Sequence, residues 1–185
     1  MTPPLCARCG APTAWPVARC SECAGRRLAF AQARAAVAYD ADVRRVVRGW
    51  KERGLRGLAC EAASIVAERL SRADVDLVTF VPPDPGRRLQ RGYHPAEQLA
   101  RALAAAWELP CAPLLTRVSR TSRQRGLSLV ERRRNVAHAF AAGPVQGAVL
   151  LVDDVYTTGA TAHAAASALG TRVEVVTFAR AIRIR

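Results

Sequence analysis

Two adjacent carboxylates, Asp153 and Asp154, stand just ahead of a Thr157-Thr158-Gly159-Ala160-Thr161 run. They follow Val149-Leu150-Leu151-Val152, an aliphatic stretch that reads as a buried parallel strand. Such a strand delivers its last residues to the carboxyl edge of the sheet, where α/β folds bind ligands. Carboxylates at that edge accept hydrogen bonds from vicinal hydroxyls or hold a hydrated Mg²⁺. The threonine run then opens a helix over 160–169, whose leading N–H groups and dipole favour a phosphate. Gly159 permits close backbone approach, and Thr157, Thr158 and Thr161 supply hydroxyl donors. A diol reader and a monophosphate cradle one turn apart describe a 5-phosphorylated ribose. An ordinary capped helix needs one such side chain. No Gly-Lys-Ser/Thr follows, so the run is not a Walker loop.

A second constellation lies at the amino end, as Cys6-x-x-Cys9 and Cys20-x-x-Cys23. Two such turns can place four thiolates at the corners of a tetrahedron, the geometry Zn²⁺ takes with sulfur. Four thiolates leave no open coordination position, so the expected role is structural, with a recognition surface or redox switch as the other readings. Gly10 suits the tight turn after Cys9, and Pro12 and Pro16 exclude a helix between the pairs. Arg8, Arg19, Arg26 and Arg27 can offset the negative charge of a zinc tetrathiolate. Cys60 and Cys111 stand alone and read as small buried hydrophobes.

These groups must be positioned by a scaffold, and the apolar periodicity outlines one. A short strand is expected at 35–39. A helix over 41–52, capped by Asp40, carries the stripe Val43, Val46, Val47 and Trp50. Arg44, Arg48 and Lys51 share another face, read first as solvated and otherwise as facing an anion. A helix at 58–70 turns Leu58, Ala62, Ile65 and Val66 inward. A buried strand at 76–81 precedes a glycine-containing loop with Arg87, Arg88 and Arg91. A helix starting at Pro95 buries Ala96, Leu99, Ala100, Leu103 and Trp107. The arginine-rich segment 117–134 reads as a long loop running into a polar helix. A last strand spans 171–178. The expected division is a cysteine module over 1–34 and an α/β domain over 35–185.

The 185 residues carry 28 basic and 15 acidic side chains, a net charge of +13. That excess favours anionic company such as nucleic acid or phosphorylated metabolites. Lys51 is the only lysine, so a proteome-wide preference for arginine explains the excess equally well. Aromatic residues make up 5%, too few for a long base-stacking platform. No apolar run approaches the ~18 residues of a membrane span. The opening residues lack the pattern of a signal peptide. The expectation is a cytoplasmic chain with reduced thiols.

The 149–161 stretch closely resembles the signature of type I phosphoribosyltransferases, which bind phosphoribosyl pyrophosphate (PRPP). The order of features resembles the competence protein F (ComF) family, which joins a four-cysteine zinc module to such a domain. The matching pieces are the four cysteines, Tyr39, Lys51, Val81-Pro82, Arg87, Arg91-Gly92-Tyr93, Gln124, Arg134-Asn135-Val136, Phe140 and 149–161. One departure is His94-Pro95, where the family usually has Asn-Gln.

The resemblance implies a three-layer, mostly parallel domain of the type I phosphoribosyltransferase kind behind a small zinc knuckle. It implies that Asp153 and Asp154 hold the ribose hydroxyls, and that Thr157, Thr158, Gly159, Ala160 and Thr161 hold the 5-phosphate. Pyrophosphate with Mg²⁺ would lie near Arg87 and Arg91. The 117–134 segment is placed like a mobile lid, with Arg123, Gln124 and Arg125 against the departing pyrophosphate. Transfer would be displacement at the anomeric carbon by a nitrogen nucleophile. His94, His138 and His163 have no visible carboxylate partner, so no general base is legible, and His163 lies nearest the bend. Only a few residues follow the last strand, so any hood over an acceptor must come from 1–70. Family members are associated with DNA uptake during natural transformation. The alternatives are therefore a phosphoribosyl transferase, a single-strand-binding competence factor working with DNA-uptake proteins, or a PRPP sensor without turnover.

Overall fold

The computed structural model describes residues 3–83, 92–118 and 139–182. Four parallel strands form the central sheet: β1 (Gln32–Ala38), β2 (Leu77–Phe80), β5 (Val149–Tyr156) and β6 (Val173–Arg180), in the order β1-β6-β5-β2. A two-stranded antiparallel ribbon joins β3 (Leu115–Arg117) and β4 (Phe140–Ala142). The helices are α1 (Ala41–Glu52), α2 (Leu58–Arg69), α3 (Pro95–Ala106) and α4 (Ala160–Leu169).

Along β5 the side chains alternate between two cores, as a pleated strand requires. Leu150 and Val152 pack with Val47 and Trp50 of α1, Val66 of α2, and Leu99 and Leu103 of α3. Val149 and Leu151 face the other way, with Ala162, Ala165 and Leu169 of α4, Phe140, and Cys6, Cys9 and Cys23. The result is three layers: helices α1–α3, the sheet, and a third layer of α4, the ribbon and the cysteine unit. The α/β class read from the sequence, a parallel sheet behind an amino-terminal cysteine unit, is borne out.

Helix α1 occupies the expected range. The Asp40 side chain accepts the backbone N–H groups of Asp42 and Val43, satisfying two of the donors that a helix start leaves free. Its stripe is narrower than expected: Val47 and Trp50 are buried, but Val46 is 41% exposed. Val47 and Trp50 enter the core shared with α2 and α3, and Val43 packs partly buried against it. The four expected inward residues of α3 are buried, as is Trp107 at its C-cap.

β1 begins at Gln32, ahead of the expected strand. Its first residues pair with Glu174 and Val175 of β6, and Gln32 Nε2 donates to Glu174 Oε2 at 2.8 Å. That polar pair hid the strand from a hydrophobicity reading. β6 runs two residues past the expected end, to Arg180. Cys60 is exposed rather than buried, because it lies on the outer side of α2, opposite Ala59, Ala62, Ala63 and Val66. Cys111 is half-buried and bridges to Val78 of β2. No helix among the described residues is long and apolar enough to cross a membrane.

Candidate functional site: a phosphate-bend cleft beside a cysteine centre

β5 continues through both acids to Tyr156, so Asp153 and Asp154 lie inside the strand near its carboxyl end. The pleat sends them apart. Asp153 lines a small open cleft with Thr157, Gly159, Thr161, Tyr156 and Thr177. Asp154 turns to the helical layer, where Lys51 Nζ of α1 donates to its Oδ1 at 2.7 Å. The cationic face of α1 therefore splits. Lys51 meets an acid of the site, Arg48 pairs with Glu52, and Arg44 lies over the Tyr39 ring. The backbone N–H of Asp154 donates to Asp153 Oδ1 at 2.9 Å, which fixes the Asp153 carboxyl against its own strand. Burial, and next the neighbouring Asp154 charge, push the Asp153 carboxyl up to about 7.

The bend after β5 turns at Gly159, which has φ +73° and serves as the N-cap of α4. A Cβ there would fall on the Tyr156 hydroxyl, so glycine is required by both conformation and space. No side chain caps α4; the nearest contact is a long one, 3.4 Å from the Ala160 N–H to Thr158 Oγ1. Helix-start N–H groups thus stand beside the cleft, in the arrangement that suits an anion.

The four amino-terminal cysteines come together. Their sulfur atoms all lie within 4.8 Å of one another, with Cys6–Cys23 at 3.7 Å and Cys9–Cys20 at 3.6 Å. A tetrahedral zinc with bonds of ~2.3 Å sets sulfurs ~3.8 Å apart, so the donor set fits Zn²⁺. The Cys6 thiol is raised by burial, but N–H groups of Cys9, Cys20 and Arg8 outweigh this and bring it down to about 6. Burial raises Cys9 and Cys23. Gly10, at φ +71°, packs where a Cβ would strike the Ala33 carbonyl of β1.

Three side chains join the cysteine unit to the bend: Arg180, which the sequence did not single out, Arg26, expected only to offset the thiolate charge, and His163, weighed only as a general base. Arg180, 4% exposed at the end of β6, donates to the Cys9 carbonyl at 2.7 Å and to Glu22 Oε2 at 2.8 Å. Its guanidinium lies 4.5 Å from the centroid of the Tyr156 ring. Arg26 Nη2 donates to the Thr158 carbonyl at 2.9 Å. His163 Nδ1 accepts the Ala29 N–H at 3.0 Å, a lodging role rather than that of a general base. The one available signal was an arginine closing a mostly apolar strand, with Tyr156 and Arg180 in register across β5 and β6.

Among the expected site residues, the structure gathers Asp153, Thr157, Gly159 and Thr161 at one cleft. Thr158 and Ala160 lie within the same bend, and Asp154 on the opposite face of β5. Arg87, Arg91, Arg123, Gln124 and Arg125 lie outside the described residues, as do His138 and the 134–136 segment. On the helical side, the Tyr93 hydroxyl donates to the Trp50 carbonyl, and Arg56 lies over the Tyr93 ring at 5.3 Å.

No protein-family model matches the chain. DNA utilization protein YhgH of Salmonella typhimurium is 29% identical over 170 residues, spanning 85% of this chain and 74% of that protein. Competence protein F of Haemophilus influenzae is 38% identical over 81 residues, 40% of this chain and 35% of that protein. The chain is similar to competence protein F. The family resemblance read from the cysteines and the 149–161 signature is thereby borne out. A solved structure, glutamine PRPP amidotransferase from B. subtilis complexed with ADP and GMP, matches with a TM-score of 0.41 and 22% identity. The match covers 66% of this chain and 25% of that one.

Proposed function

We propose that the chain binds PRPP together with Mg²⁺, in the service of DNA utilization. Asp153 takes the ribose hydroxyls, with Asp154 behind it on the other face of β5 held by Lys51, and Thr157, Thr158, Gly159, Ala160 and Thr161 take the 5-phosphate. The four thiolates hold a structural Zn²⁺. The observation carrying this reading is the single cleft that Asp153 shares with Thr157, Gly159 and Thr161. A carboxylate able to accept from a sugar diol sits there beside an uncapped helix start. Pyrophosphate falls to Arg87 and Arg91, together with Arg123, Gln124 and Arg125, all of which lie outside the described residues. The link to DNA follows the names of the relatives, DNA utilization protein and competence protein F.

Calorimetry with PRPP and Mg²⁺ tests the site. Saturable binding that is lost in Asp153→Ala and Asp154→Ala supports it, and wild-type affinity in both variants refutes it. Pyrophosphate release across a panel of nitrogen bases separates transfer from sensing. The nucleic-acid reading is favoured by the relatives' names and the +13 charge. It predicts single-strand binding that falls steeply with salt and weakens in Arg123→Ala and Arg125→Ala.

A further inference from the structure

The cysteine unit and the phosphate bend are joined by a short chain of contacts, and one of its members, Arg180, also reaches the Cys9 sulfur at 3.9 Å. Arg26 Nη2 lies 2.9 Å from the Thr158 carbonyl oxygen. Within the unit, Arg26 is held from both sides. Its N–H donates to the Cys23 carbonyl at 3.2 Å, and its own carbonyl accepts Arg19 Nη1 at 3.0 Å. A peptide is planar and trans, so its C=O and N–H point in opposite directions. Drawing the Thr158 carbonyl toward the cysteine unit therefore turns the Gly159 N–H away from it. Gly159, at φ +73°, has no Cβ to resist the opposite peptide orientation, so the external bond decides which way the N–H faces.

A second strut is Arg180. It grips the Cys9 carbonyl and Glu22, which lies between the third and fourth cysteines, and its guanidinium lies over Tyr156. The Tyr156 hydroxyl in turn fills the space beside Gly159. Both struts end within the unit on residues that are cysteines or lie within three positions of one.

We propose that Arg26 is a positioning residue for anion binding: it fixes the Thr158–Gly159 peptide, and with Arg180 it makes the phosphate affinity of the bend depend on the metal-filled cysteine unit. This rests on the reading of the bend as a 5-phosphate cradle. Arg26 itself touches no ligand; its effect passes through one backbone amide.

The test uses the full chain, zinc-loaded, with ribose 5-phosphate as the probe. Calorimetry follows the affinity, ¹⁵N-edited NMR follows the Gly159 amide, and metal analysis follows zinc content. Arg26→Ala should keep its zinc, shift the Gly159 resonance and weaken ribose 5-phosphate about tenfold. Inorganic pyrophosphate should bind as to wild type, since the bend takes only the 5-phosphate. Arg26→Lys, which keeps a cationic donor, should recover part of the loss. Stripping zinc from the wild type with a chelator should move the same amide and weaken the same probe. Wild-type affinity in zinc-loaded Arg26→Ala overturns the proposal, as does unchanged binding by the chelated chain. If the wild type itself fails to bind ribose 5-phosphate, the cradle reading falls and takes the proposal with it. Binding by the wild type that is insensitive to Arg26 removes the proposal alone.

Discussion

Lys51→Met should destabilise the protein by about 2 kcal/mol, mostly because it leaves a charge behind. The Lys51 and Asp154 side chains are 29% and 14% exposed, and their N–O distance is 2.7 Å. Two unit charges ~4 Å apart attract by about 4 kcal/mol at an effective dielectric of ~20. Desolvating both ions offsets much of that, and fully exposed pairs net less than ~1 kcal/mol. This half-buried pair falls between, with a coupling of about 1–2 kcal/mol. The loss in the single variant is larger because Asp154 stays in its recess without a counter-charge. For a chain of this length the midpoint of thermal unfolding should fall by about 4–8 °C. The assay is urea unfolding of the zinc-loaded chain at pH 8, for wild type, Lys51→Met, Asp154→Asn and the double variant. The double variant should be more stable than the sum of the single losses implies, by about 1–2 kcal/mol. Effects that add to within ~0.3 kcal/mol would mean that Lys51 does not engage Asp154, and the reasoning fails. Lys51 also counts among the charges that hold Asp153 down, so Lys51→Met should move the Asp153 titration upward.

Three further outcomes are expected. Burial, then the Asp154 charge, raise the Asp153 carboxyl to about 7, so it is protonated below that pH. PRPP binding through the carboxylate should therefore weaken about tenfold per pH unit below 7 and level off above it. Asp153→Asn should flatten this limb, and a flat wild-type profile counts against the role. Gly159→Ala places a methyl group at φ +73° against the Tyr156 hydroxyl. It should cost roughly 1–3 kcal/mol in unfolding experiments and abolish phosphate binding; wild-type stability and affinity would contradict the packing described. His163 is held below its ordinary pKa by burial and then by Arg26, and it accepts the Ala29 N–H only when neutral. Its contribution, about 1 kcal/mol, is complete above pH ~6.5 and is lost as the pH falls through the depressed value. The stability difference between wild type and His163→Ala should shrink between pH 7 and pH 5; a constant difference would rule this out.

The scaffold was legible where one force dominates. Helices α1, α3 and α4 follow an apolar period or a glycine bend, and each starts where its cap or proline places it. Edge strand β1 was less legible, because its buried face alternates with Gln32 and Arg34, which are satisfied by partners distant in sequence. The cysteine centre and the threonine bend could be read from spacing alone, since four sulfurs or a run of hydroxyls around a glycine have few other uses. The directions of the two acids could not. Adjacent residues look like a pair in sequence, yet the pleat of β5 sends one to the cleft and the other to Lys51. The links through Arg26, Arg180 and His163 were also illegible, because an arginine-rich chain gives no sign of which guanidinium is buried.

The pairing of β1 with β6 has a consequence for how the chain is made. Among the described residues β1 pairs with no other strand, and Arg180 reaches the Cys9 carbonyl across 171 positions of sequence. The four cysteines of the knuckle are all available as soon as Cys23 leaves the ribosome. The strand behind it must wait, with bare edges on both sides, until β6 has been synthesised. During that interval the nascent chain is a cysteine clasp tethered to an unfinished sheet, and the closing stroke of β6 completes the sheet and seats the clasp together.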